Sequence, residues 1–149
     1  MKWALHHIGY LADDLEAEAA RWVADFGYIR DGAAHEDPVQ MAKVCFLRQP
    51  GASHWLELVS PTGPKSKLAN AARQKMALHH VCYETDDLPR ALASLRERGW
   101  LDVGPPASGT AFGGRPIAWV MDRRRILIEI LQAGPGPYNL SALATRLIP

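Results

Sequence analysis

No apolar stretch in this chain approaches the ~20 consecutive residues that a helix needs to cross a bilayer, so a membrane-spanning role is not expected. Excess charge is also lacking. Lys and Arg number 17 against 16 Asp and Glu, for a formal net charge of +1. That removes the simplest electrostatic case for a nucleic-acid partner, which needs a strong basic surplus. The one basic run, Arg123-Arg124-Arg125, is short. It reads as a solvated turn between strands, with contact to a phosphate-bearing substrate as the alternative. Cysteine is scarce: Cys45 and Cys82 both fall in apolar, strand-like runs and are expected as buried thiols rather than a disulfide. No low-complexity segment is present. No signal-peptide h-region precedes the patterned segment from Lys2 to Tyr10, and a cytoplasmic location is expected. What remains is 48% apolar and 22% charged, the balance of a soluble globular protein. At 149 residues the chain suits one domain, or two half-size modules sharing a core.

The chain repeats itself. Ala4-Leu5-His6-His7-Ile8-Gly9-Tyr10 leads into Leu11-Ala12-Asp13-Asp14-Leu15. Ala77-Leu78-His79-His80-Val81-Cys82-Tyr83 leads into Glu84-Thr85-Asp86-Asp87-Leu88, at an offset of 73 residues. Later, Trp55-Leu56-Glu57-Leu58-Val59 matches Leu127-Ile128-Glu129-Ile130-Leu131 at an offset of 72. Each half therefore opens with a strand carrying His and closes with a strand carrying Glu. Duplication places equivalent residues about a pseudo-twofold axis, a direct way to bring two His and two Glu to one centre.

Alternation and turn signals give each half the order β-α-β-β-β. Strands are expected at Leu5–Tyr10, 28–31, 42–47 and 54–59, and again at Leu78–Tyr83, 101–103, 117–121 and 126–131. Asp14 and Asp87 are the expected helix N-caps. Leu15, Ala19, Trp22, Val23 and Phe26 mark the apolar face of the first helix, and Leu88, Ala91, Leu92 and Leu95 that of the second. Gly27 and Gly99 suit left-handed C-caps. The domain reading is one domain over 1–149, with modules 3–60 and 77–132. Residues 61–76 form a linker with a short helix near 68–75. A C-terminal extension spans 133–149, with a helix expected over 139–148.

Glu57 and Glu129 are isolated charges within apolar runs. A carboxylate on an apolar sheet face is costly unless paired, hydrogen-bonded or bound to a cation. Two converging carboxylates repel, so one keeps its proton unless a cation lies between them. Two imidazoles and two carboxylates make a site for one divalent ion: Zn, Co, Ni, Mn or Fe. The candidate metal ligands are His7, Glu57, His80 and Glu129. By alternation His6 and His79 point the other way, as packing or supporting groups. His35 and His54 have no repeat partner and are expected at the surface.

These residues carry a resemblance. Leu5-His6-His7-Ile8-Gly9, Glu57-Leu58-Val59-Ser60-Pro61, Leu78-His79-His80-Val81, Gly113-Gly114-Arg115-Pro116-Ile117 and Leu127-Ile128-Glu129-Ile130 together resemble the vicinal-oxygen-chelate superfamily. That superfamily spans glyoxalase, bleomycin-resistance and dioxygenase members, and the chain looks most similar to methylmalonyl-CoA epimerase-like and glyoxalase-like ones. The resemblance covers about residues 4 to 132. It implies an α+β fold in which two tandem βαβββ modules form an open, cupped eight-stranded mixed sheet with helices outside. It puts the metal ligands at the four positions already named. It implies a substrate-binding loop at Gly113, Gly114 and Arg115. The chain departs from the epimerase pattern at Val44, at Lys65-Ser66 and at Val120-Met121-Asp122. Those differences bear on the coenzyme A substrate and leave the ligand set alone.

The chemistry expected is proton abstraction beside a carbonyl of a small chelating substrate, such as an acyl-CoA, with Glu129 and Glu57 as candidate catalytic bases. An epimerase or isomerase, or a glyoxalase-like lyase, fits that site. An iron-dependent dioxygenase is an alternative, disfavoured by the second glutamate. A non-catalytic binding or resistance protein of the same fold is another. The expected partners are a small-molecule substrate and a second copy in a homodimer.

Overall fold

The structure, a computed structural model, describes residues 1–145. The chain forms two compact units. One is His7–His79; the other joins Met1–His6 to the chain from His80 onward.

In the first unit, β1 (Trp3–Leu11) enters at His7 and leads to α1 (Leu15–Phe26). The Asp14 side chain accepts hydrogen bonds from the Glu16 and Ala17 backbone N–H groups, so two of the donors that a helix start leaves open are satisfied. Gly27 closes the helix with φ 68°, a left-handed conformation that favours glycine. Then come β2 (Ile29–Arg30), β3 (His35–Asp37), β4 (Ala42–Arg48), β5 (Trp55–Pro61) and the short α2 (Ala69–Arg73). The strands lie in the order β2-β4-β5-β1, with β3 also on β4. β4 runs antiparallel to β5, and β5 parallel to β1. Leu15 and Ala19 of α1 pack on Cys45, Leu47, Leu56 and Leu58 of the sheet.

The second unit repeats the plan. β6 (Leu78–Thr85) leads to α3 (Leu88–Glu97), whose Asp87 cap accepts from the Arg90 N–H. β7 (Leu101–Asp102), β8 (Ala107–Ser108), β9 (Pro116–Met121) and β10 (Leu127–Gln132) follow. Their order is β7-β9-β10-β6, with β8 on β9, position for position the order of the first unit. β6 and β10 are parallel; β10 and β9 are antiparallel. Leu88 and Leu92 pack on Ala118, Val120 and Ile130. α4 (Leu140–Thr145) takes up the start of the expected terminal helix. The rest of that expectation lies outside the described residues.

The α+β plan of two βαβββ halves holds, with a short extra strand in each. β3 and β8 were not expected. His35-Glu36-Asp37 and Ala107-Ser108 lack apolar alternation and are strands only because β4 and β9 offer them partners. The apolar face of α1 is narrower than its pattern suggests, since Val23 and Phe26 are exposed. Both cysteines are buried thiols, and neither is in a disulfide among the described residues. Burial pushes the Cys45 thiol up to about 11. Among the described residues no helix is long and apolar enough to cross a membrane.

Candidate metal centre

Each unit builds one His–Glu pair by the same steps. In the first, β1 carries His7 and β5 carries Glu57, with Gly9 opposite Glu57 in the parallel register. In the second, β6 carries His80 and β10 carries Glu129, with Cys82 opposite Glu129. His7 Nε2 stands 3.3 Å from Glu57 Oε2. His80 Nε2 stands 3.6 Å from Glu129 Oε2. All four residues are buried. Leu56 and Leu58 around Glu57, and Ile130 beside Glu129, are buried as well, so each carboxylate sits in an apolar run that does not solvate it.

The spacing tests whether a cation fits. Two donors held about 2.1 Å from one ion, at tetrahedral or right angles, stand about 3.0–3.4 Å apart. The 3.3 Å pair falls on that edge and the 3.6 Å pair just beyond it. The second pair, at 3.6 Å, is also longer than a direct hydrogen bond. The donor set, imidazole nitrogen and carboxylate oxygen, is the one that borderline divalent ions take.

Each histidine also meets an aromatic ring edge-on, from the strand antiparallel to its glutamate strand. His7 lies 5.6 Å from Phe46, and His80 lies 4.9 Å from Trp119, between ring centroids. Phe46 pairs with Glu57 across β4 and β5, as Trp119 pairs with Glu129 across β9 and β10. These ring walls are not singled out by the sequence reading. The signal was available: at an offset of 73 residues, Phe46 and Trp119 are repeat equivalents.

The glycine loop has a different character from the ligand pairs. A 3-10 turn at Thr110–Phe112 ends in Gly113 and Gly114, with φ 68° and 86°. A side chain on Gly113 would meet Pro137 Cδ at 2.9 Å, so only glycine fits there. Arg115 follows, and it is buried. Its Nη1 donates to Glu84 Oε2 at 2.8 Å, its Nε to the Phe112 carbonyl, and its Nη2 to the carbonyls of Pro137 and Tyr138. The guanidinium thus faces into the fold and ties the glycine loop to the segment after β10. Burial pushes the Glu84 carboxyl above its ordinary value, against the pull of Arg115. His6 Nε2 lies 2.7 Å from the Tyr138 carbonyl. A carbonyl only accepts, so His6 carries its proton on Nε2 there. His6 is therefore a buried packing and hydrogen-bonding group, while His79 is half-buried. His35 and His54, expected at the surface, are half-buried as well.

Comparison with known proteins follows the same lines. Residues 6–119 match the family profile described as the Glyoxalase/Bleomycin resistance protein/Dioxygenase superfamily. The chain is 30% identical over 132 residues to the ethylmalonyl-CoA/methylmalonyl-CoA epimerase of Cereibacter sphaeroides, covering 86% of this chain and 96% of that one. Among solved structures, a hypothetical protein from Bacillus halodurans superposes with a TM-score of 0.81 at 19% identity, covering 91% of this chain and 97% of that one. The methylmalonyl-CoA epimerase of Mycobacterium tuberculosis superposes with a TM-score of 0.79 at 22% identity, covering 95% and 91%.

Proposed function

Since the chain belongs to the glyoxalase/bleomycin resistance/dioxygenase superfamily and is an epimerase-like isomerase, we propose that it is a metal-dependent epimerase of a small acyl thioester. The observation that carries this reading is the duplicated His–Glu pair, buried in each unit with its imidazole nitrogen and carboxylate oxygen 3.3 and 3.6 Å apart. In this reading His7, Glu57, His80 and Glu129 hold one divalent cation, of Zn, Co, Ni, Mn or Fe type. A cation so held supplies Lewis-acid stabilisation of the negative charge that develops on the substrate carbonyl oxygen.

The rest is the work of the protein's own side chains. A carboxylate, Glu129 or Glu57, takes the proton from the carbon beside the carbonyl. Two carboxylates from duplicated positions suit inversion at that carbon: the proton leaves one face and returns on the other. The Phe46 ring stands edge-on against His7 and the Trp119 ring against His80, which holds each imidazole in place. Gly113 and Gly114 present the backbone surface on which the acyl group rests. Arg115 contributes to binding through the loop it holds. The name of the Cereibacter relative favours an acyl-CoA epimerase over a glyoxalase-type lyase on the same ligand set. A cytoplasmic location and a homodimer belong to the same reading.

The test is metal analysis of the purified protein, paired with deuterium exchange at the α-carbon of methylmalonyl-CoA before and after chelation. About one divalent ion per chain is expected, with exchange lost on chelation and restored by the metal. A protein that neither carries nor takes up a divalent ion overturns the four-ligand site.

A further inference from the structure

We infer that the hairpin tip Arg123-Arg124-Arg125 is a binding site for the phosphate groups of the substrate's tail, an inference that rests on the acyl thioester reading above. The tip joins β9 to β10, the strand that carries Glu129. Its backbone is fixed. The Asp122 carboxylate accepts from the Arg124 and Ile126 N–H groups at 2.9 and 2.8 Å. The Arg125 N–H bonds the Asp122 carbonyl, and the Asp122 N–H bonds the Ile126 carbonyl. Arg125 takes φ 64°, a left-handed conformation in which glycine or asparagine costs less. All three arginines are exposed, and among the described residues none of their guanidiniums has an ion pair or hydrogen bond within the protein.

The duplication supplies the control. The equivalent turn between β4 and β5 is Gln49-Pro50-Gly51-Ala52-Ser53-His54, without one Lys, Arg, Asp or Glu. There glycine takes the left-handed position, Gly51 at φ 78°. A hairpin of this fold therefore closes without arginine. Three unpaired guanidiniums on a braced turn, one at a conformational cost, are not explained by the needs of the turn. Guanidinium forks match phosphate oxygens in charge and geometry.

Distance fits the class of ligand. Arg125 precedes Glu129 by four strand positions, about 13 Å of extended chain at ~3.3 Å per residue. A ligand that reacts at Glu129 and meets the arginines must be long, with its anionic groups well removed from the reacting carbon. A coenzyme A thioester has that form: a reactive acyl end, a flexible arm, then the nucleotide phosphates.

The experiment compares the wild type with an Arg123→Gln/Arg124→Gln/Arg125→Asn variant, asparagine being chosen because it tolerates the left-handed position. Coenzyme A itself is titrated into each by calorimetry. Deuterium exchange is then followed on a full-length coenzyme A thioester and on an N-acetylcysteamine thioester, which ends before the phosphates. About tenfold weaker coenzyme A binding is expected in the variant, from three exposed charge contacts. A similar rise in KM is expected for the full-length thioester alone. Added salt weakens the wild type toward the variant. Equal coenzyme A affinity in the two proteins, or an equal KM rise on both thioesters, overturns the phosphate site. Should the wild type exchange neither thioester yet bind coenzyme A through the arginines, the epimerase reading falls and the phosphate site stands.

Discussion

The two halves of the molecule make the same His–Glu pair on equivalent strands and differ in the loops and polar supports placed around it. Strand order, parallel register and the aromatic ring beside each histidine repeat from one half to the other. The surroundings do not. Where the first half has Leu11, the second has Glu84, buried and paired to Arg115. Where the first half turns on a neutral glycine hairpin, the second turns on three arginines. The difference separates two kinds of constraint. On the proposed reading, both copies of the pair are needed to hold one ion, whereas a single copy of each loop and support serves a substrate that is not symmetric.

The comparison can be broken most directly at the ligands. His7→Ala and His80→Ala should each lose the bound ion and lower α-proton exchange by about a thousandfold, the size of a lost Lewis-acid contribution. Parity between them, read by metal analysis and by kcat, is the expected outcome. A variant that keeps its ion while the other loses it would mean that one half alone forms the centre.

Next in size is the polar support found only in the second half. Arg115→Ala leaves Glu84 buried without its cation and should cost about 3–5 kcal/mol, measured by urea unfolding. The sign with pH follows from Glu84. Burial already raises its carboxyl, and losing Arg115 removes the opposing pull. The folded variant then holds this proton more tightly than the unfolded chain. Its deficit is least at low pH, where Glu84 is protonated in both states, and grows as pH rises through the raised value. A Glu84→Leu/Arg115→Met double variant, copying the apolar character of Leu11, should recover most of the loss.

The smallest effect lies at the helix starts. Asp14 accepts two backbone N–H groups and Asp87 one. Asp14→Ala and Asp87→Ala should each cost about 1 kcal/mol in urea unfolding, with Asp14 the larger. The reverse order would show that Pro89, in the first turn of α3, does not ease that helix start as proline there should.

Much of this was legible in the sequence because the sequence says it twice. The repeated His-His and Asp-Asp-Leu stretches locate two strands and two caps, and the isolated Glu57 and Glu129 locate two closing strands. What was not legible is what depends on distant partners. Arg115 reads as part of a substrate-binding glycine loop. Its partner Glu84 is 31 residues away, and the carbonyls of Pro137 and Tyr138 belong to a segment with no repeat equivalent. β3 and β8 exist through pairing alone, so no local pattern announces them. Phe46 and Trp119 could have been found by carrying the repeat one strand further.

The division of β1 between the two units bears on how the chain acquires its structure. Met1–His6 belongs with residues that are synthesised well after it. The Lys2 N–H bonds Asp86 across 84 positions, and His6 bonds the Tyr138 carbonyl across 132. The segment must wait for partners 84 to 132 positions further along the chain before these contacts exist. Pairings of such long range make for a late and slow closing step. Until it is complete, Trp3 and Leu5 are apolar strand residues without a sheet, which is the condition under which strands pair with the wrong chain.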